Sequence, residues 1–375
     1  VTPVPQRARS YVVAGASGVV GLAAARHLAR AHRADGSEAL EVVAVSRRRP
    51  LGLGAPLHHA LDLEDAAACD LFARSHERTT HLVYAAVKEA PGLTPGWSDH
   101  ELMRENEAMF TNLLDALVRH APALEHVTLL QGTKAYGVHV DPEVPIPCRE
   151  SSPRHLHENF YFLQEDALRA RAASHTFGWT VLRPQIVFGD ALGSNMNPLV
   201  AIAVHAALLR AAGEPLHHPG GPRHVSEAAD AELVAQVIDW AGTAPAARNE
   251  IFNVANGDVF VWRDLWPVVA ETLGMALGED RRASLHDHAV ANGATWAALV
   301  EQHGLAAPLD VLDVLGQSAR YADMLLAGGR GPAAVPQLVS TVKLRQAGFA
   351  GCVDTEQMVV RLLRELQERR IVPVR

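Results

Sequence analysis

The sequence predicts an α/β protein built on a doubly wound parallel sheet, and three observations predict it. Near the N-terminus an apolar run, residues 11–14, meets glycines at 15, 18 and 21 and then an Ala-rich segment of good helix propensity. Apolar runs go on alternating with helical patterns through the first half of the chain, as parallel strands joined by crossover helices require. A balance of 48% hydrophobic and 20% charged residues over 375 positions supplies core enough for one large or two modest domains.

The first strand, its glycine turn and the helix start have the build of a dinucleotide-phosphate site. Gly15 permits the tight turn, Gly18 lets backbone approach a pyrophosphate, and Gly21 lets the helix pack on the strand. The helix start, with Ser17, Val19 and Val20, offers free N–H groups and the positive end of a dipole. Glu41–Ser46 reads as the second strand. In a Rossmann-type unit the tip of this strand meets the adenosine ribose. An acid there binds the 2′-OH of NAD, and arginine accommodates the 2′-phosphate of NADP. Ser46, Arg47 and Arg48 hold that place and no acid does, so NADPH is the expected cofactor. Residues 57–63 read as the third strand, ending where the adenine edge is met. Asp62 reads equally as an acceptor for the adenine amino group, with Leu63 against the ring, or as the N-cap of a helix over 64–74.

Residues 81–87 read as a fourth buried strand, and Ala85, Ala86 and Val87 at its end leave room for the nicotinamide ribose. The Pro/Gly-rich stretch 90–99 reads as a loop over the site, followed by a long helix over 100–119. The fifth strand, 127–131, runs into Gly132, Thr133 and Lys134. A proline-broken loop over 138–154 precedes a helix over 159–175. The sixth strand, 179–183, is closed by Pro184, and an irregular loop over 186–197 is placed to line a pocket. Gln131, Pro184, Ile186 and Val187 fall at the cofactor. From Pro198 the pattern is mainly helical, with short strands such as 251–254. Residues 281–331 show helical segments and no motif, and 355–370 reads as an amphipathic surface helix. The expectation is a Rossmann-type cofactor domain over 1–190 and a smaller, mostly helical substrate domain over 191–375, some of whose segments return to the first.

Composition excludes several classes. The formal charge is −8 with no basic block, so nucleic-acid binding has no electrostatic support. No apolar run reaches the length of a membrane span, and the first ten residues lack the apolar core of a signal peptide. Cys69, Cys148 and Cys352 are scattered, without disulfide or zinc spacing. His58–His59 and His217–His218 are adjacent pairs, which rarely face one site, so no metal is expected. A cytoplasmic protein is the default, and a homodimer is compatible with the chain.

Hydride transfer to a carbonyl or an enone builds negative charge on oxygen, and a phenol beside the nicotinamide stabilises it when a cation holds its pKa below the usual ~10. The usual device, Y-x-x-x-K on one helix face, is absent: Tyr161 opens such a helix, but Glu165 stands four residues on. Lys134, directly after the fifth strand, is the substitute cation.

These residues lie in motifs that resemble a known family. Lys134 in LLQGTKAYG, ESSP at 150–153, NFYFLQED at 159–166, RPQIVFG at 183–189 and SNMN at 194–197 are similar to the progesterone 5β-reductase/iridoid synthase-like enzymes. NEIFNVANGD at 249–258 and VKLRQAGFAGCVD at 342–354 also fit, so the resemblance spans nearly the whole chain in order. Those enzymes are atypical extended short-chain dehydrogenase/reductases. The resemblance implies NADPH-dependent reduction of activated C=C bonds of enones or enals, with a catalytic lysine and tyrosine that carry over to Lys134 and Tyr161. Phe162 stands where the family has a second tyrosine. Cys352 stands where plant members often have a second phenylalanine, which points to a substrate of the chain's own. Trp97, Tyr136, Met196 and Phe349 are the expected pocket walls. Two other readings stay open: carbonyl reduction or alcohol oxidation by the same groups, and a non-catalytic NADP-binding regulator.

Overall fold

A computed structural model describes residues 9–34, 41–141, 143–326 and 337–374. The apolar N-terminal run forms β1 (Ser10–Ala14), and α1 (Val19–Ala34) follows the glycine turn. β2 (Glu41–Ser46), β3 (Leu57–Ala60), α2 (Ala66–Ser75), β4 (His81–Tyr84), α3 (His100–His120), β5 (His126–Leu130), α4 (Phe160–Ala172) and β6 (Gly178–Pro184) continue the alternation. Then come β7 (Val187–Phe188), α5 (Pro198–Ala211), β8 (Val225–Ser226), β9 (Ala229–Asp230), α6 (Ala231–Ala241) and β10 (Glu250–Val254). β11 (Phe260–Val261), α7 (Trp262–Leu273), α8 (Leu285–Ala291), α9 (Gly293–His303), α10 (Val311–Leu315), α11 (Ser318–Leu325), α12 (Val342–Gln346) and α13 (Thr355–Glu368) complete the chain.

Seven strands form one parallel sheet in the order β10-β6-β5-β4-β1-β2-β3. This is the Rossmann-type, doubly wound arrangement. The strand order reverses between β1 and β4, and the crevice at that reversal is where such folds bind ligands. β1 shows why the sheet is covered twice. Tyr11 and Val13 enter the core under α1 and α6, while Val12 and Ala14 enter the core under α2, α3 and α4. A third core lies among α5, α7 to α11 and α13. Its centre is α5, buried from Pro198 to Leu209, as a helix apolar on all sides must be. β10 and α6 come from the second half of the chain yet complete the sheet layer.

Several boundaries differ from the expected ones. β3 ends at Ala60 rather than residue 63, because its partner Ser46 is the last residue of β2. β4 ends at Tyr84 rather than residue 87, opposite the last residue of β1, Ala14. The helix after β3, α2, starts at Ala66, not 64, and its N-cap is Asp65, which accepts from the N–H groups of Ala67 and Ala68 at 2.9 and 3.0 Å. Residues 281–326, without a motif in the sequence, supply α8 to α11, and 327–331 lie outside the described residues. Among the described residues no helix is long and apolar enough to cross a membrane.

Candidate active site

A cavity of about 1140 Å³ opens at the carboxyl ends of β1, β4, β5 and β6. Its first end is the glycine turn. Gly15 has φ +85°, and a Cβ there would stand 2.5 Å from the carbonyl carbon of Ala85. At Gly21 a Cβ would stand 2.2 Å from the oxygen of Gly15. Neither position tolerates a side chain. The turn is held by Gly15 and Ala16, whose N–H groups donate to Val45 O at 2.9 and 3.1 Å. The first N–H groups of α1 lack intrahelical acceptors. Gly15, Ser17, Gly18, Val19 and Val20 line this end, and the cradle fits a pyrophosphate.

The tip of β2 adds Ser46, Arg47 and Arg48. The Ser46 hydroxyl donates to Arg48 O at 2.7 Å and lies 3.1 Å from His58 Nε2, so it shapes the tip. Arg47 and Arg48 are exposed, and their guanidinium groups have no hydrogen-bond or ion-pair partner among the described residues; the next residue, Arg49, is turned onto Gly54 O at 3.3 Å. Asp62 and Leu63 line the same end. Asp62 is not the helix cap: its Oδ1 accepts from Glu64 N at 3.1 Å in a local turn.

Ala85, Ala86, Val87, Gln131, Pro184, Ile186 and Val187 line the middle of the cavity. Gln131 differs from the expected cofactor ligand in one respect. Its side-chain amide works inside the protein, donating to Tyr161 O at 3.0 Å and accepting from Arg183 Nε at 2.9 Å. Arg183 in turn pairs with the buried Glu165 at 3.2 Å. The side chain is thus a strut beneath Tyr161.

Trp97, Lys134, Tyr161 and Met196 line the far end. Lys134 sits on a single 3₁₀ turn, Thr133–Tyr136, directly after β5. Its Nζ lies 3.4 Å from Glu89 Oε1 and 4.6 Å from the centre of the Trp97 ring. The two charged side chains are 12% and 3% exposed. Burial pulls the Lys134 ammonium below its usual range, and the Glu89 charge opposes that pull. Tyr161 occupies the first turn of α4. Asn159 caps this helix and joins the two groups: Oδ1 accepts from Tyr161 N at 3.0 Å, and Nδ2 donates to Lys134 O at 2.9 Å. Burial pushes the Tyr161 phenol well above its usual range, and the charge of Glu89 adds to the push. It is therefore a neutral O–H donor at working pH. This corrects the expectation that Lys134 holds the phenol down, since the ammonium is engaged by Glu89 and burial dominates. Phe162, one residue on, packs beneath the Arg154 guanidinium at 4.7 Å and against His155, away from the cavity.

Two expected pocket walls are not in the pocket. The Tyr136 hydroxyl donates to Asn253 Oδ1 at 2.5 Å, and its ring packs with Cys148, Ala255 and Val339 in a small separate core. It pins the end of β5 to β10. The Phe349 ring centre lies 5.8 Å from that of Trp240 on α6, and the ring packs against the core of one sheet face.

Glu89, Tyr321, Asp323, Met324 and Glu227 also line the cavity, and no motif marks them. Asp323 accepts from Ser284 Oγ at 2.7 Å and from Leu285 N at 2.6 Å, so it fastens α11 to the start of α8 and seats Tyr321 over the cleft. The helix expected over 159–175 opens at Asn159, whose cap and whose bond to Lys134 only the structure shows.

A family model described as a PRISE-like Rossmann-fold domain matches residues 11–309. The chain belongs to the PRISE-like Rossmann-fold family. It is 30% identical to an (S)-8-oxocitronellyl enol synthase from Camptotheca acuminata, over 96% of this chain and 93% of that protein. A 3-oxo-Δ4,5-steroid 5-β-reductase from Arabidopsis thaliana is 31% identical over 74% of this chain and 72% of its own length. Among solved structures, UDP-glucose 4-epimerase from Thermotoga maritima with UDP-glucose superposes with a TM-score of 0.65 at 15% identity, covering 96% of this chain and 99% of that one, a likeness of fold. This PRISE-like chain is an oxidoreductase of the short-chain dehydrogenase/reductase superfamily.

Proposed function

We propose that this PRISE-like chain reduces the activated C=C bond of a small α,β-unsaturated carbonyl compound with NADPH. The observation that carries the reading is a neutral, buried phenol, Tyr161, lining the same cavity as the glycine cradle and tied through Asn159 to Lys134. The activities that two relatives are named for, enol synthase and 5-β-reductase, support it.

Gly15 to Val20 hold the pyrophosphate, and Arg47 and Arg48 take the 2′-phosphate, which selects NADPH over NADH. The bound cofactor's contribution is a hydride, accepted by the β-carbon of the substrate. Tyr161 donates its O–H to the carbonyl oxygen, where the enolate charge develops. Lys134 adds positive potential at the same end of the cleft. Removal of one such donor lowers rate by roughly 10²–10³-fold. The proton for the α-carbon comes from water. The helical body over 191–375 supplies the substrate side, through Met196, Tyr321 and Met324, and the 1–190 segment the cofactor side.

The test is a panel of enones, enals, ketones and aldehydes assayed by loss of NADPH absorbance with product identification. Saturated carbonyl products are expected from enones and enals. Allylic alcohols would make the chain a carbonyl reductase, and no oxidation across the panel would make it a binding protein. Tyr161→Phe is expected to abolish most turnover while leaving NADPH affinity unchanged.

A further inference from the structure

We propose that Glu89 is a positioning residue for this reduction: its carboxylate keeps the buried Lys134 ammonium charged and fixed at the cleft, and so sets the alkaline limit of activity. The inference rests on the roles given above to Tyr161 and Lys134 and adds a group that neither role includes.

Glu89 follows β4 at the strand-order reversal, where the crevice opens. Its side chain is 3% exposed, and its one ion pair among the described residues is with Lys134 at 3.4 Å. Both residues line the main cavity, and both also line a small second cavity of about 10 Å³ with Trp97, His139 and Asn159. Burying a lone ammonium or a lone carboxylate is strongly unfavourable, and each is tolerated here because it faces the other. Among the described residues the remaining neighbours of Lys134 offer no second anion. Trp97 and Phe160 present ring faces at 4.6 and 6.0 Å. Asn159 is directed at the Lys134 carbonyl, not at Nζ.

The surrounding titratable groups do not duplicate this role. Lys88, adjacent in sequence, turns outward to Glu64 and Glu105 at 2.9 and 3.1 Å. On the loop that precedes α4 and the turn after β5, His139, His155 and His157 cluster with ring spacings of 5.8 to 6.4 Å. Burial and the Lys134 charge hold His139 down to about 4, and burial lowers His155, so both stay neutral at working pH. Tyr161 on α4 and Tyr321 on α11 are pushed up and neutral. Arg183 on β6 is bound to Glu165 and Gln131. Asp323 is bound to the start of α8, and Glu227 accepts from Val339 N at 2.7 Å. The charge state of Lys134 is left to Glu89.

An opposite charge at this range holds a pKa up by roughly 1–3 units. In Glu89→Gln the alkaline limb of kcat should therefore move down by roughly 1–3 pH units, with KM for NADPH little changed. Glu89→Asp should restore most of the limb. His157→Gln, which removes the remaining imidazole of the cluster, should leave it in place. A second readout does not depend on turnover. The chain has only three lysines, Lys88, Lys134 and Lys343, so competitive acylation with acetic anhydride followed by peptide mass spectrometry reports the titration of Lys134 directly. Its half-point should fall in Glu89→Gln and that of Lys343 should not. An unmoved half-point and an unmoved alkaline limb, in a variant that still binds NADPH, would overturn the inference. If Tyr161→Phe retains full activity, the underlying reading fails instead; if Tyr161→Phe is inactive and Glu89→Gln is unshifted, only the role of Glu89 fails.

Discussion

Asn159 donates a hydrogen bond from Nδ2 to the carbonyl oxygen of Lys134 at 2.9 Å. The same side chain caps α4 by accepting from Tyr161 N, so one residue fixes both the turn that carries the cation and the helix that carries the phenol. Asn159→Ala removes both bonds. Loss of the cap should lower stability by about 1 kcal/mol. Turnover should fall further than that, because a displacement of about 1 Å at a reacting group can lower rate by roughly 10²-fold. Asn159→Ser restores a cap acceptor without reaching Lys134, so thermal denaturation should recover while kcat stays low. Equal recovery of both would show that Asn159 acts only as a cap.

Arg47 and Arg48 stand at the tip of β2, and their guanidinium groups have no partner among the described residues. A hydrogen bond to a charged group contributes about 1.5–3 kcal/mol. The double variant Arg47→Ser, Arg48→Ser should therefore raise KM for NADPH by roughly tenfold to a hundredfold. KM for NADH should be nearly unchanged, and steady-state titration with the two cofactors checks it. A parallel loss with NADH would mean that the arginines serve the fold or a feature common to both cofactors.

His27 on α1 lies 2.9 Å from Glu232 and 3.5 Å from Asp239, both on α6. Burial alone would lower its pKa, but hydrogen bonds to Asp239 and Glu232 outweigh burial and raise it to about 9. A pKa raised above the unfolded value gives stability that is complete below about pH 6.5 and is lost as pH rises through about 9. The contribution is roughly 1–2 kcal/mol once partial solvent screening is allowed for. Urea denaturation from pH 6 to 10 should show the wild type losing that advantage over His27→Gln in this window. A constant difference between the two proteins would remove the ion pairs from the pH dependence.

The parts of this molecule that obey a local rule could be read before folding. The glycines at 15, 18 and 21 mark a turn because close backbone approach leaves no room for Cβ, and that constraint is written in residue type. The strands announce themselves as apolar runs, although their ends were misplaced wherever pairing with a neighbour, such as Ser46 with Ala60, decides the last residue. The substrate side was not legible in this way. Tyr321 reaches the cavity because Asp323 fastens α11 to α8, a contact between segments with no shared pattern. Glu89 before a Pro/Gly-rich loop looks like a solvated acid, and only the fold brings Lys134 to it, 45 residues away. Tyr136 and Phe349 misled for the converse reason. Aromatic residues near motif segments suit a pocket and a core equally, and here Asn253 and Trp240 claim them for the core.

The most direct test of enone reduction at this site uses NADPH carrying deuterium at the transferred position of nicotinamide C4, with a small enal as acceptor. A saturated aldehyde with deuterium on the β-carbon is expected from the wild type, and at a rate lower by roughly 10²–10³-fold from Tyr161→Phe. Deuterium on the carbinol carbon of an allylic alcohol would contradict it.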